Sequence, residues 1–319
     1  MRTLNRLLVT ACDIVVFMSV TGLIFSPSIY SKNNPPDIEE DGDGPGRSKD
    51  RRADPCNHLP DPPGNAKGHD KKCPPLGSSS GIAKGDFNGD SFGDLAIGVP
   101  HEDLGSIADA GLVTVIYGSV NRLVANGGGV PANQFWHQDS PNVLEQSESN
   151  DDFGSVLAAG DFDDNGCADL AIGVPREDFD DALPTVANSG AVNVIYGQPG
   201  GLNAGSLPVS QFWHQNTSGI VDDAETEDRF GSTLTAWDFN GDSVSDLAIG
   251  VPREDVVTGG VNITDAGQVH ILRGRRTILT SIAPQIGGLT SALSTFFHQD
   301  SPGVSNSVES GDQFGKALY

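Results

Sequence analysis

Three copies of one motif, starting 75 and 77 residues apart, constrain this chain more than any other feature. The first runs Asp86-Phe87-Asn88-Gly89-Asp90-Ser91-Phe92-Gly93-Asp94 into Leu95-Ala96-Ile97-Gly98-Val99-Pro100. The second runs from Asp161 to Asp169 into Leu170-Ala171-Ile172-Gly173-Val174-Pro175, and the third from Asp238 to Asp246 into Leu247-Ala248-Ile249-Gly250-Val251-Pro252. Each is an oxygen-rich loop feeding an apolar strand. A period this regular marks a repeat architecture, in which one unit cannot bury its apolar face alone and must stack on its neighbours.

The loop reads as a Ca²⁺ site. Calcium is a hard cation that takes six to eight oxygen ligands, some of them backbone carbonyls. A tight loop turns its first, third and fifth side chains inward: Asp86, Asn88 and Asp90; Asp161, Asp163 and Asn165; Asp238, Asn240 and Asp242. The seventh residue offers only its carbonyl, so its side chain is free to vary, as Phe92, Cys167 and Val244 do. The ninth, Asp94, Asp169 or Asp246, closes the shell. Three carboxylates and one amide per loop outweigh the charge of the ion. An EF-hand is excluded, because it needs a bidentate Glu at position twelve and a following helix. Position twelve here is Ile97, Ile172 or Ile249. Metal-free Asn/Asp/Gly turns are the competing reading. Three copies with one ligand spacing favour three calcium sites.

Within each period the order of elements recurs. Phe153–Gly160 forms a short strand, echoed from Phe230. The loop and the apolar Leu-Ala-Ile-Gly-Val strand follow. That strand is apolar on both faces, as expected for one sandwiched between layers. An acidic turn containing Glu102, Glu177 or Glu254 leads to a third strand: Leu112–Tyr117, Ala191–Tyr196 or Gln268–Leu272. A fourth is expected at Gln134–Gln138, Gln211–Gln215 and Thr295–Gln299. Four antiparallel strands per period, stacked radially, make an all-β fold of β-propeller blades. Three full repeats lie near 77–150, 151–227 and 228–311, and a fourth opens at 312–319. The propeller is therefore expected to be incomplete in this chain. The first repeat departs from the others, with Ser78-Ser79 where Phe-Gly is expected.

Charge narrows the partners. With 43 acidic against 19 basic residues the formal net charge is −24. Nucleic acid and anionic membrane surfaces are repelled by such a chain. Residues 1–31 have a basic start and an apolar run from Leu7 to Phe25 broken by Asp13, which reads as a signal peptide; an uncleaved membrane anchor is the alternative. Residues 32–76 are rich in Pro, Gly and charge, and form a linker too polar to order itself. Secretion or display at the cell surface follows from either reading of the leader. Cys56 and Cys73 are able to pair in an oxidising compartment.

No catalytic constellation emerges. His137, His214 and His298 recur once per repeat beside an aromatic residue, which points to a structural role. Gly77-Ser78-Ser79-Ser80-Gly81 matches a nucleophile-elbow spacing without the strand and helix that would give it chemistry. A partner is expected to use the irregular loops at Phe179–Asn188 and Val256–Asp265.

These motifs closely resemble the FG-GAP repeats of integrin α subunits and many secreted bacterial proteins. Phe153-Gly154, Phe230-Gly231 and Phe314-Gly315 supply the first signature, and Gly98-Val99-Pro100, Gly173-Val174-Pro175 and Gly250-Val251-Pro252 the second, with Val in place of Ala. The resemblance covers Gly77 to Tyr319 and implies a calcium-dependent propeller with more blades than this chain holds. It further implies a binding or cell-adhesion module with an extracellular protein or glycan ligand. The alternatives are the propeller part of a larger secreted hydrolase resembling phospholipase D, and a structural envelope protein.

Overall fold

The computed structural model describes residues 81–123, 131–179, 185–278 and 285–318. The leader, the linker with Cys56 and Cys73, and residues 77–80 lie outside them. Every regular element among the described residues is a strand.

Blade 1 comprises β1 (Ile82–Gly85), β2 (Asp94–Val99), β3 (Leu112–Ile116) and β4 (Gln134–Trp136), hydrogen-bonded in that order. Blade 2 comprises β5 (Val156–Gly160), β6 (Asp169–Val174), β7 (Ala191–Gln198), β8 (Gly201–Asn203) and β9 (Gln211–Trp213). Strands β5, β6 and β7 pair in sequence, and both β8 and β9 pair with β7. Blade 3 uses β10 (Thr233–Trp237), β11 (Asp246–Val251), β14 (Gln268–Arg273) and β15 (Thr290–Phe297). A separate hairpin joins β12 (Val256–Thr258) to β13 (Val261–Ile263). All pairings between these strands are antiparallel, as expected for propeller blades.

Side-chain alternation explains why the central strand is apolar throughout. Leu170, Ile172 and Val174 of β6 pack with Phe87, Val113 and Val115 of blade 1. Ala171, between them, packs with Phe230, Leu247 and Ile249 on the blade 3 side. One strand thus seals two interfaces, and all six of its residues are buried.

Two differences from the sequence expectation have identifiable causes. The fourth strand of blade 3 is not Thr295–Gln299 but begins at Thr290 and ends at Phe297. Its early start is held by Ser291 and Ser294, whose hydroxyls donate to the carbonyls of Ser218 and Gly219. The stretch Val256–Asp265, expected to be irregular, holds the β12–β13 hairpin. Gly259 and Gly260 form its two-residue turn with φ of +59° and +80°, a conformation that matches the twist of the strands and that glycine adopts without strain.

The two signature motifs meet at the blade junctions. A Cβ added to Gly98 would lie 1.9 Å from the carbonyl oxygen of Gly154, and one added to Gly173 would lie 2.4 Å from that of Gly231. Gly250 stands in the same relation to Gly315, at 2.2 Å. The glycine at the end of each central strand is therefore the seat of the next Phe-Gly backbone. A second junction is built from side chains. Tyr117 and Gln134 of blade 1 hold the Leu202 backbone of blade 2, whose N–H donates to the Tyr117 hydroxyl at 2.9 Å and whose carbonyl accepts from Gln134 Nε2 at 2.9 Å. Tyr196 and Gln211 grip Leu289 in the same manner. The sequence reading missed this clamp; its only local trace is a Gly-Leu pair at 201–202 and 288–289.

Candidate metal centre

The nine-residue loop is first a self-bonded turn. Backbone N–H groups of Asn165 and Gly166 donate to the two Asp161 carboxylate oxygens at 3.0 Å each, and that of Cys167 donates to Asn165 Oδ1 at 2.7 Å. The same pattern holds Ser91 to Asp86 and Phe92 to Asp90, and Ser243 to Asp238 and Val244 to Asp242. Short side chains that bond their own backbone are why Asp and Asn fill these positions even before a metal is considered.

Position nine ties the loop to the blade. Asp94, Asp169 and Asp246 are 2%, 0% and 1% exposed. Asp169 accepts the N–H of Phe162 at 2.7 Å on one oxygen and that of Gly197, just past the core of β7, at 2.8 Å on the other. Asp94 does the same with Phe87 and Gly118, and Asp246 with Phe239 and Gly274. The donor glycines recur at the end of the third strand, Gly118 and Gly274 just beyond it and Gly197 next to its last residue, a recurrence that would have flagged them from sequence.

The loops also bond to one another. The Ala168 N–H donates to the Asp86 carbonyl at 2.8 Å, and the Ser245 N–H donates to the Asp161 carbonyl at 3.0 Å. Arg276 spans loops two and three, with Nε 3.2 Å from Asp164 and a second nitrogen donating to the Asp242 carbonyl at 2.7 Å.

The three loops differ in how their acids converge. In loop two, carboxylate oxygens of Asp161, Asp163 and Asp169 all lie within 4.8 Å of one another. No other group of three His, Cys, Asp or Glu side chains among the described residues comes this close. The cause is the placing of the amide. Loop two carries an acid at position three, and its amide, Asn165, turns Nδ2 outward to the Gly197 carbonyl at 2.9 Å. In loops one and three the amide sits at position three. Asn88 Nδ2 donates to Asp90 at 3.0 Å, and Asn240 Nδ2 donates to both Asp246 oxygens at 3.1 and 3.2 Å. Each NH₂ there donates to one carboxylate of its own loop. A half-turn of either amide would offer Oδ1 instead.

Crowded buried acids resist ionisation without a counter-ion. Burial, then the Asp161 charge, pushes Asp163 up to about 6. Burial raises Asp94 to about 6 as well, with Asp86 and Asp90 adding to it. Asp169 is raised well above the usual carboxylate range by burial and by Asp163 and Asp161. A divalent cation would reverse these shifts by favouring the charged forms.

The donor set fits calcium. It is all oxygen, carries three carboxylates, and leaves backbone carbonyls available at position seven. Cys167, the one soft atom in a loop, is disulfide-bonded, and the other three cysteines lie outside the described residues. The side chain at position seven is less free than the spacing suggested: Cys167 and Val244 are buried, and Phe92 alone is exposed.

The repeated His and Glu residues have structural partners. His137, His214 and His298 each donate a backbone N–H to a Ser or Thr hydroxyl three residues on. Glu177 accepts from Gln138 Nε2 of the preceding blade at 2.5 Å, and Glu254 accepts from Gln215. Glu102, in the first repeat, is exposed.

Comparison with known proteins agrees with this architecture. The FG-GAP repeat family model matches residues 79–116, 153–195 and 230–272, so each match takes in one loop and its flanking strands. The phosphatidylinositol-glycan-specific phospholipase D of Bos taurus is 31% identical over 172 residues, which are 54% of this chain and 18% of that protein. The Homo sapiens protein of the same name is 30% identical over 171 residues, again 54% of this chain and 18% of its own length. Integrin alpha-PS2 of Drosophila melanogaster is 28% identical over 181 residues, 56% of this chain and 11% of that protein. The chain thus spans less than a fifth of the length of these relatives.

Proposed function

We propose, from the premise that this chain is an FG-GAP repeat protein with integrin-α-like blades, that it is a calcium-stabilised binding module working outside the cell. The observation that carries the reading is the meeting of Asp161, Asp163 and Asp169 within 4.8 Å in loop two. Asp161, Asp163, Asp169 and the Cys167 carbonyl would hold the ion there, with Asp86, Asp90 and Asp94, and Asp238, Asp242 and Asp246, in the flanking loops. Calcium supplies charge neutralisation, which lets the buried acids ionise while the loop stays closed. The blades then present their variable connections as a rigid surface for a protein or glycan ligand, and adhesion is the role such a surface suits. Extracellular calcium modules bind in the range of about 10⁻⁴–10⁻³ M, which matches that compartment. The basic-then-apolar stretch at residues 2–25 supports export.

Calorimetric titration of the chelator-stripped full chain with CaCl₂ tests this. Saturable binding is expected, with the loop-two site removed by Asp163→Asn. Titrations of the parent and the variant that both remain flat would sink the reading.

The match to phospholipase D supports a second reading, in which these blades accompany a catalytic domain of a larger hydrolase. The matched part is the repeat region, and within it the Glu177 and Glu254 side chains accept from glutamines of the preceding blade, while the backbone N–H groups of His137, His214 and His298 are held by hydroxyls. Phospholipase activity is not expected of these blades on either reading, so the full reading frame that encodes them separates the two: a non-repeating globular segment with clustered His and Asp favours the hydrolase.

A further inference from the structure

One junction breaks the repeat. Between blades 1 and 2 lies a pocket lined by Glu145, Glu177, Asp178, Phe179, Ser189, Phe212 and His214. Its enclosed volume is about 10 Å³, room for roughly one water-sized group. The rings of Phe179 and Phe212 flank His214, with centroids 4.7 and 5.5 Å from it. Ser189 is 1% exposed, and its Oγ has no hydrogen-bond partner among the described residues.

The next junction shows what normally fills this space. Glu145 and Asp222 occupy one turn position, with φ of +78° and +106°, so the turn itself is shared. Around Asp222 the space is closed: Gln268 Nε2 donates to it at 2.7 Å. At the equivalents of Gln268 and Ala266, blade 2 carries Ala191 and Ser189. Where blade 3 has Val256, blade 2 has Phe179. The bridging amide is lost, a hydroxyl acceptor is gained, and an aromatic wall is added. Three changes at one junction turn a structural contact into a cavity.

We propose that this pocket receives a primary ammonium on an alkyl chain, as on a lysine side chain of a partner protein. Carboxylates of Glu145 and Asp178 supply counter-charge, Ser189 Oγ supplies an acceptor, and aromatic faces attract the cation and its methylenes. An ammonium fits the one-water volume, whereas a planar guanidinium is broader. A metal ion is disfavoured, because the acids here do not converge as those of loop two do. Burial, with Asp151 and Glu145, holds the Glu177 carboxyl up at about 9. The chain's net charge of −24 draws a basic partner to it. The inference rests on the binding-module reading but not on the loops, so its failure leaves the calcium sites standing.

The test is a titration of the calcium-saturated full chain with Nα-acetyl-lysine methylamide, followed by NMR at Phe179, Ser189 and His214. Saturable shifts at these residues are expected. The Nε-acetylated probe should give none. Ala191→Gln, which restores the blade 3 side chain, should weaken binding at least tenfold without changing the melting temperature in calcium. Ser189→Ala should weaken it less. Equal shifts from the acetylated probe, or unchanged affinity in both variants, would overturn the proposal.

Discussion

Asp169 shows how much one side chain carries here. It is buried, both of its oxygens accept backbone N–H groups, and it still lies beside Asp161 and Asp163. Asp169→Asn would set an NH₂ against the N–H of Phe162 or Gly197, leaving a buried donor unmatched. A loss of about 1–3 kcal/mol is expected even in EDTA, with a larger loss in CaCl₂, read from paired denaturant titrations. Glu254 makes a separate case. Burial, then Asp228 and Asp222, raises its carboxyl to about 10, and Gln215 donates to it. The fold favours the protonated form. This stabilisation is therefore complete below the ordinary value near 4.5 and is lost as pH rises toward about 10. Asp228, raised to about 7 by burial, adds a loss at lower pH. In saturating calcium the melting temperature should fall between pH 5 and 9. Glu254→Gln should flatten that slope by about 1 kcal/mol or more.

At the scale of the strand, the junctions depend on atoms that are missing. Gly98 has no Cβ because the Gly154 carbonyl occupies its place. Gly98→Ala should cost about 1–3 kcal/mol through forced separation of blades 1 and 2, seen as a drop in melting temperature of several degrees. The same element explains what was legible in sequence. The loop ligands and the central strands could be read because metal spacing and two-sided burial act on neighbouring residues. Gly259-Gly260 carries a hairpin signal in the sequence as well, since paired glycines suit a two-residue turn. The Tyr117–Gln134 clamp could not be read, since Leu202 lies 85 residues beyond Tyr117 and only folding brings them together. The early start of β15 at Thr290 was hidden for the same reason, because its anchors are carbonyls of blade 2. The opening of the acid trio in loops one and three turned on which atom of an amide points inward, a choice made by the folded surroundings of Asn88 and Asn240.

For the molecule as a whole, charge is the stability variable. A chain of net charge −24 with acids packed into three loops repels itself when stripped of cations. Adding NaCl to the EDTA-treated protein should raise its melting temperature, and a few millimolar CaCl₂ should raise it further than the same ionic strength of NaCl. Scanning calorimetry of both series checks the order; equal effects would reduce calcium to a screening ion. The clamp has a consequence of another kind. Tyr117 and Gln134 hold the main-chain atoms of Leu202, and Tyr196 and Gln211 those of Leu289, so neither grip reads the neighbour's side chains. A unit that offers glycine and a free backbone at that place can follow any other. Tandem duplication then adds or removes units without redesigning the seams, and each new copy is at liberty to diverge in its connections.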